Sequence, residues 1–126
     1  MKRGIIAAVV LGAMLAATGA RADVIWKNYK EQTVKLAKAS NPAAQLALDN
    51  YIFGVTSVLE AANGELELRG VTPLYCKPPN LSLNLDNVKA MLAAEGMRSI
   101  QVANELSALS TSIVILHVLK ETFPCK

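Results

Sequence analysis

Tyr75-Cys76-Lys77-Pro78-Pro79 and, further along, Leu119-Lys120-Glu121-Thr122-Phe123-Pro124-Cys125 hold the only two cysteines of the chain. Between them, apolar residues recur at helical spacing in two runs. A Cys76–Cys125 bridge would therefore tie the start of one helix to the end of the next and close a helical hairpin. A metal reading of the same thiols fails on ligand count, because His117 is the sole histidine and the usual Cys/His zinc set cannot be completed within one chain. Disulfides form and persist in oxidising compartments, so the pairing points to an exported protein.

The opening residues agree. Met1-Lys2-Arg3 is a basic n-region, residues 4–17 are uncharged and rich in Ala, Val, Ile and Leu, and Ala20-Arg21-Ala22 fits a small-x-small cleavage site. Residues 1–22 thus read as a secretory signal peptide and 23–126 as one domain. The apolar stretch is shorter than the roughly 20 residues a membrane span needs, so no membrane attachment is expected after cleavage. Cleavage also alters the charge. The whole chain has 13 Lys and Arg against 10 Asp and Glu, and losing Lys2, Arg3 and Arg21 leaves ten of each. A balanced mature chain lacks the basic excess that nucleic-acid binding calls for.

Within the mature domain, Ile25, Tyr29 and Leu36, with Trp26 and Val34 beside them, predict a first amphipathic helix over 23–39. Ser40-Asn41-Pro42 then marks a boundary, with Asn41 or Ser40 as N-cap and Pro42 at the first position of a second helix. Leu48, Ile52, Val55, Leu59 and Ala62 form its stripe, widened by Tyr51 and Val58. Gly54 suggests a close helix approach, and Asn63-Gly64 predicts the end, with Gly64 as a left-handed cap. Glu65-Leu66-Glu67-Leu68-Arg69 would then be a protruding connection between Gly64 and Gly70. Pro73, Pro78 and Pro79 keep the following segment out of helix. Ser82 is the expected cap of a third helix with Leu85, Val88 and Leu92 buried and Gly96 at its end. Ser99 would cap a fourth, striped by Val102, Leu106, Leu109, Ile113, Leu116 and Phe123, and bent where Ser107, Ser110, Thr111 and Ser112 cluster. The expected fold is an all-α compact bundle of about four helices with one disulfide.

Catalytic chemistry finds little footing. His117 lies between Leu116 and Val118 with no evident orienting partner, the two cysteines are committed to each other, and the carboxylate pairs Glu65/Glu67 and Glu31/Asp49 have no apolar pocket to separate their pKa values. No phosphate-binding loop or haem signal is present. The reading is of a protein that is not an enzyme and has no cofactor.

The motif Tyr75-Cys76-Lys77-Pro78-Pro79, the helix through Leu83–Leu92, the ending Leu119 to Cys125, and Tyr51-Ile52-Phe53-Gly54-Val55 upstream together resemble the Rap/Tai family of immunity proteins. The likeness spans about residues 48–125. Where many relatives have a His-Pro turn between the last two helices, this chain has Glu95-Gly96-Met97-Arg98. The resemblance implies a periplasmic protein that neutralises a peptidoglycan amidase effector of a type VI secretion system by blocking its active-site cleft. It also implies a homodimer, which the apolar surface of residues 42–62 would serve, although a core role for that surface is the simpler reading. On this reading the partner-binding residues are Glu65, Leu66, Glu67, Leu68 and Arg69, held at their base by the disulfide, with the Glu95–Ser99 turn as the next candidate. Readings of another class are a small periplasmic helical chaperone or stress protein, and a carrier of an apolar ligand.

Overall fold

The computed structural model describes residues 23–96 and 100–126; the signal-peptide reading of 1–22 and the Ser99 cap lie outside them. Five helices form an all-α domain: α1 Trp26–Ala39, α2 Pro42–Leu68, α3 Leu85–Gly96, α4 Ile100–Ser107 and α5 Thr111–Thr122. Helix α2 packs against α1, α3 and α5, while α5 also touches α3 and α1, and α4 rests on α1. The core comprises Trp26, Tyr29, Ile52, Tyr75, Val88, Leu92, Leu106, Val114, Ile115, Val118 and Leu119. No helix of the described residues is long and apolar enough to cross a membrane.

Local chemistry explains most boundaries. Ser40 takes a left-handed backbone (φ 49°) that stops α1, and Asn41 Oδ1 accepts the Ala44 N–H at 3.1 Å to open α2, with Pro42 at a position where its missing N–H costs nothing. Helix α3 is capped by Asn84 and not by the expected Ser82: Asn84 Oδ1 accepts from Asn87 N at 2.9 Å. Val88 and Leu92 are buried as their spacing requires.

Two expectations are corrected. The single long last helix is broken into α4 and α5, with Ser110 at the N-cap of α5, where its side chain accepts from Ile113 N. The cause is distant in sequence. Residues 23–25 precede α1 and lie extended against the break: Val24 O accepts from both Thr111 N and Thr111 Oγ1, Ile25 pairs with Ser110 as an isolated bridge, and Trp26 N, at the first position of α1, donates to Leu109 O. A new start at Ser110 resets the helical phase, so Val114, Ile115, Val118 and Leu119 are buried and Ile113 is exposed. Gly54, the second correction, marks no close approach within the chain, because a Cβ there would meet nothing within 4 Å. Val58 likewise faces out, along with Leu46 and Phe53.

The disulfide is formed between Cys76 and Cys125, 49 residues apart, with their Cα atoms 4.9 Å from each other. Cys76 N also donates to Phe123 O at 2.8 Å, so backbone pairing and the covalent bond secure the same junction. Closing a loop of this length contributes about 4 kcal/mol in the chain-entropy model.

Candidate partner-binding corner

Glu65-Leu66-Glu67-Leu68 is the last turn of α2, not the protruding loop expected from the two glycines. Leu and Glu are good helix formers, and one interior glycine costs about 1 kcal/mol, which tertiary contacts readily offset. The decisive contact is Asn63. An asparagine before a glycine normally turns its amide back on its own backbone and ends a helix. Here that amide is used elsewhere: Oδ1 accepts from Leu74 N at 2.6 Å and from Tyr75 N at 3.3 Å, and Nδ2 donates to Tyr75 O at 2.8 Å. With Asn63 buried and facing the returning strand of chain, nothing interrupts α2 at Gly64.

The helix ends at Leu68, with Arg69 as its cap and Gly70 turning the chain. Gly70 N donates to Glu67 O, Val71 N to Leu66 O, and Gly70 has a left-handed φ of 66° that a side chain would disfavour. This is a Schellman cap, which satisfies the last carbonyls of α2 and turns the chain sharply. The turn leaves Leu68 86% exposed and Val71 51% exposed at its apex. Leu66 is half-buried beneath them, and Glu67 is exposed.

Of the five residues predicted to bind a partner, Glu65 and Arg69 pair with each other across one helical turn at 2.6 Å. Both are largely exposed, so the pair adds little stability, yet it occupies the Glu65 carboxylate. Glu67 is then the carboxylate of the corner that carries no ion pair among the described residues. The base is firmly held. One turn before Asn63, Glu60 accepts the Tyr75 hydroxyl at 2.5 Å and pairs with Lys77 at 3.3 Å. Burial, and then the Glu60 carboxylate, push the Tyr75 phenol well above its ordinary range, so it stays a donor. Tyr75, Cys76 and Lys77 are thereby bound to α2 on one side and to the end of α5 on the other.

The other candidates are dispersed. Asp49 is bonded to Lys89 and Gln45, each at 2.9 Å, and Lys89 foremost draws its carboxyl below the usual range; Glu31 stands exposed on α1. His117 does have a neighbour that sequence did not reveal, with its Nε2 3.9 Å from Oε1 of buried Glu95. That separation exceeds hydrogen-bond length. The adjoining cleft of about 160 Å³ is smaller than ordinary small-molecule sites. Of the Glu95–Ser99 turn, residues 97–99 lie outside the described part.

The chain matches no family model, no curated protein and no solved structure.

Proposed function

We propose that the protein is an exported immunity protein which, after removal of residues 1–22, binds a type VI secretion peptidoglycan amidase in the periplasm and blocks its active-site cleft. The observation that carries this reading is the corner at Leu68: a nearly fully exposed leucine at the apex of a rigid, capped turn. A single exposed leucine is ordinary, but here Leu68 and Val71 stand out at one turn over the half-buried Leu66, so the exposed apolar surface is grouped. The disulfide supports an oxidising compartment. The likeness of the Tyr75–Pro79 and Leu119–Cys125 motifs to the Rap/Tai family supplies the identity of the target.

The inhibitor needs no chemistry of its own. Leu68 fills an apolar subsite, Val71 packs at its rim, and the Glu67 carboxylate meets the cationic histidine of a Cys/His hydrolase. Because the Schellman cap, the Asn63 clamp and the disulfide already order the corner, association loses little conformational freedom. A second copy of the chain is the other partner. The outer face of α2 from Ala43 to Ala62 exposes Leu46, Phe53 and Val58 and no charged side chain, while Ala47, Gly54 and Ala61 at seven-residue intervals keep it low enough for a partner helix.

The test is titration of the mature protein into amidases encoded beside its gene, following turnover and heat together. A one-to-one complex that abolishes turnover is expected. Full amidase activity at saturating excess, with protection of unfolded clients from aggregation instead, would favour the chaperone reading.

A further inference from the structure

Between α1 and α3 lies an apolar groove of about 550 Å³, walled by Val34, Ala90 and Ala93 over a closed floor of the buried Trp26, Tyr29 and Leu92. The two aromatic rings are stacked, 5.3 Å between centroids and 13° between planes, so the floor is flat and stiff. Ala90 and Ala93 form the α3 wall, and their small side chains are what keep the groove open. Two lysines stand at its rim in different states. Lys89 is neutralised by Asp49 at 2.9 Å. Lys30 has no carboxylate within 4 Å among the described residues; its ammonium sits over the Trp26 ring, 5.7 Å from the centroid. Lys27 and Lys35 lie on the same helix beside it with Glu31 among them, so this side of the rim carries three lysines against one carboxylate.

We infer that this groove binds a single-chain amphiphile with an anionic head, the chain lying along the exposed Val34, Ala90 and Ala93 above the buried Trp26 and Leu92, and the head meeting Lys30. The volume falls within the range of small-molecule sites, which favour gaps between bundle helices and carry few polar groups in apolar walls. A peptide helix fits poorly, since the groove follows α1 only from Trp26 to Val34, about 12 Å at the helical rise per residue. Charge distinguishes this groove from the comparable one between α1 and α2. There the ionisable side chains are the phenol of Tyr51 and Asp23, whose carboxylate already accepts from Tyr51 and Ser112 and lies beside the α-amino group that cleavage after Ala22 would create. The inference is independent of the amidase reading, because the groove adjoins neither Leu68 nor the outer face of α2.

Occupancy is followed by isothermal titration calorimetry, with the emission of Trp26, the only tryptophan in the chain, as a second readout of the floor beneath the ligand. The disulfide-intact mature protein is titrated with decanoate, decyltrimethylammonium and decyl maltoside, each below its micelle concentration. Saturable one-to-one binding of decanoate, with the cationic probe much weaker, is expected. Lys30→Glu should weaken decanoate by about tenfold through a lost contact and added repulsion. Ala93→Phe, or Ala90→Leu should the first variant misfold, should fill the groove and remove binding with the circular dichroism unchanged. Equal binding of the three probes, undiminished binding by Lys30→Glu, retention by the folded groove-filling variant, or absence of saturation each overturns the inference. So does an amphipathic helical peptide that displaces decanoate and binds more tightly.

Discussion

Replacing Asn63 by Ala should be among the most damaging single changes outside the hydrophobic core, though it removes only one small polar side chain. The amide satisfies three backbone groups, and two of them, Tyr75 N and Tyr75 O, belong to a residue with no exposed surface. Water cannot easily replace it there. A buried group left without its partner costs about 1–3 kcal/mol. Tyr75 O at 2.8 Å should be charged in full, the longer 3.3 Å contact to Tyr75 N only in part, and the half-buried Leu74 N least, since solvent can reach it. The total is about 3 kcal/mol, a large share of the 5–15 kcal/mol that holds a domain of this size together. Urea denaturation of the oxidised mature protein measures it through the midpoint at constant slope. In thermal scans the same loss corresponds to a fall of roughly 12–15 °C. Hydrogen exchange would show the first openings at Leu74 and Tyr75. A loss below about 1 kcal/mol with an unaltered slope would refute the account of Asn63 as the clamp of this junction.

Leu68→Asp should leave thermal stability within about 0.5 kcal/mol, yet weaken amidase binding by roughly ten- to a hundredfold, the value of burying one leucine; calorimetry and turnover assays check both parts. Val58→Glu, at a site 69% exposed, should leave the fold intact and render the protein monomeric in sedimentation equilibrium, with inhibition retained. Cys125→Ala should cost about 2–5 kcal/mol by denaturant titration, as is usual for a bridge in a small secreted domain. The Asp49 carboxyl has a folded pKa below its ordinary 3.8, chiefly through Lys89, so its contribution is present above about pH 4 and is lost as pH falls through the lower folded value. Denaturation midpoints at pH 7 and pH 3 should accordingly differ less in Asp49→Asn than in the parent.

Much of the architecture is legible because it is locally encoded. Asn41-Pro42 carries its own cap chemistry, Val88 and Leu92 declare the buried face of α3, and two cysteines alone in a chain have only each other. The failures have one physical source, which is local signals overruled by distant contacts. Asn63-Gly64 reads as a helix end until the amide of Asn63 is seen to serve Leu74 and Tyr75. Ser107 to Ser112 reads as a bend because nothing nearby announces that residues 23–26 will seat there and restart the helix at Ser110. The candidate site suffered from the first of these. Glu65 to Arg69 read as a loop between two glycines, whereas in the structure they form the last turn and cap of α2. The prominence of Leu68 and the withdrawal of Glu65 into a pair with Arg69 follow only once the turn is helical.

The seating of residues 23–26 against α5 also governs when the protein can fold. Val24 and Thr111 are separated by 87 positions and Asp23 and Ser112 by 89, so the earliest part of the domain to be synthesised waits for nearly the last. Contacts of such long range must overcome loop closure before they give any return, and they slow the search for the native state. Until α5 arrives, Trp26 lacks its cover and Cys76 lacks its partner. On the export proposed above, an incomplete chain would reach the membrane pore without these closing contacts and would complete them only once α5 had crossed.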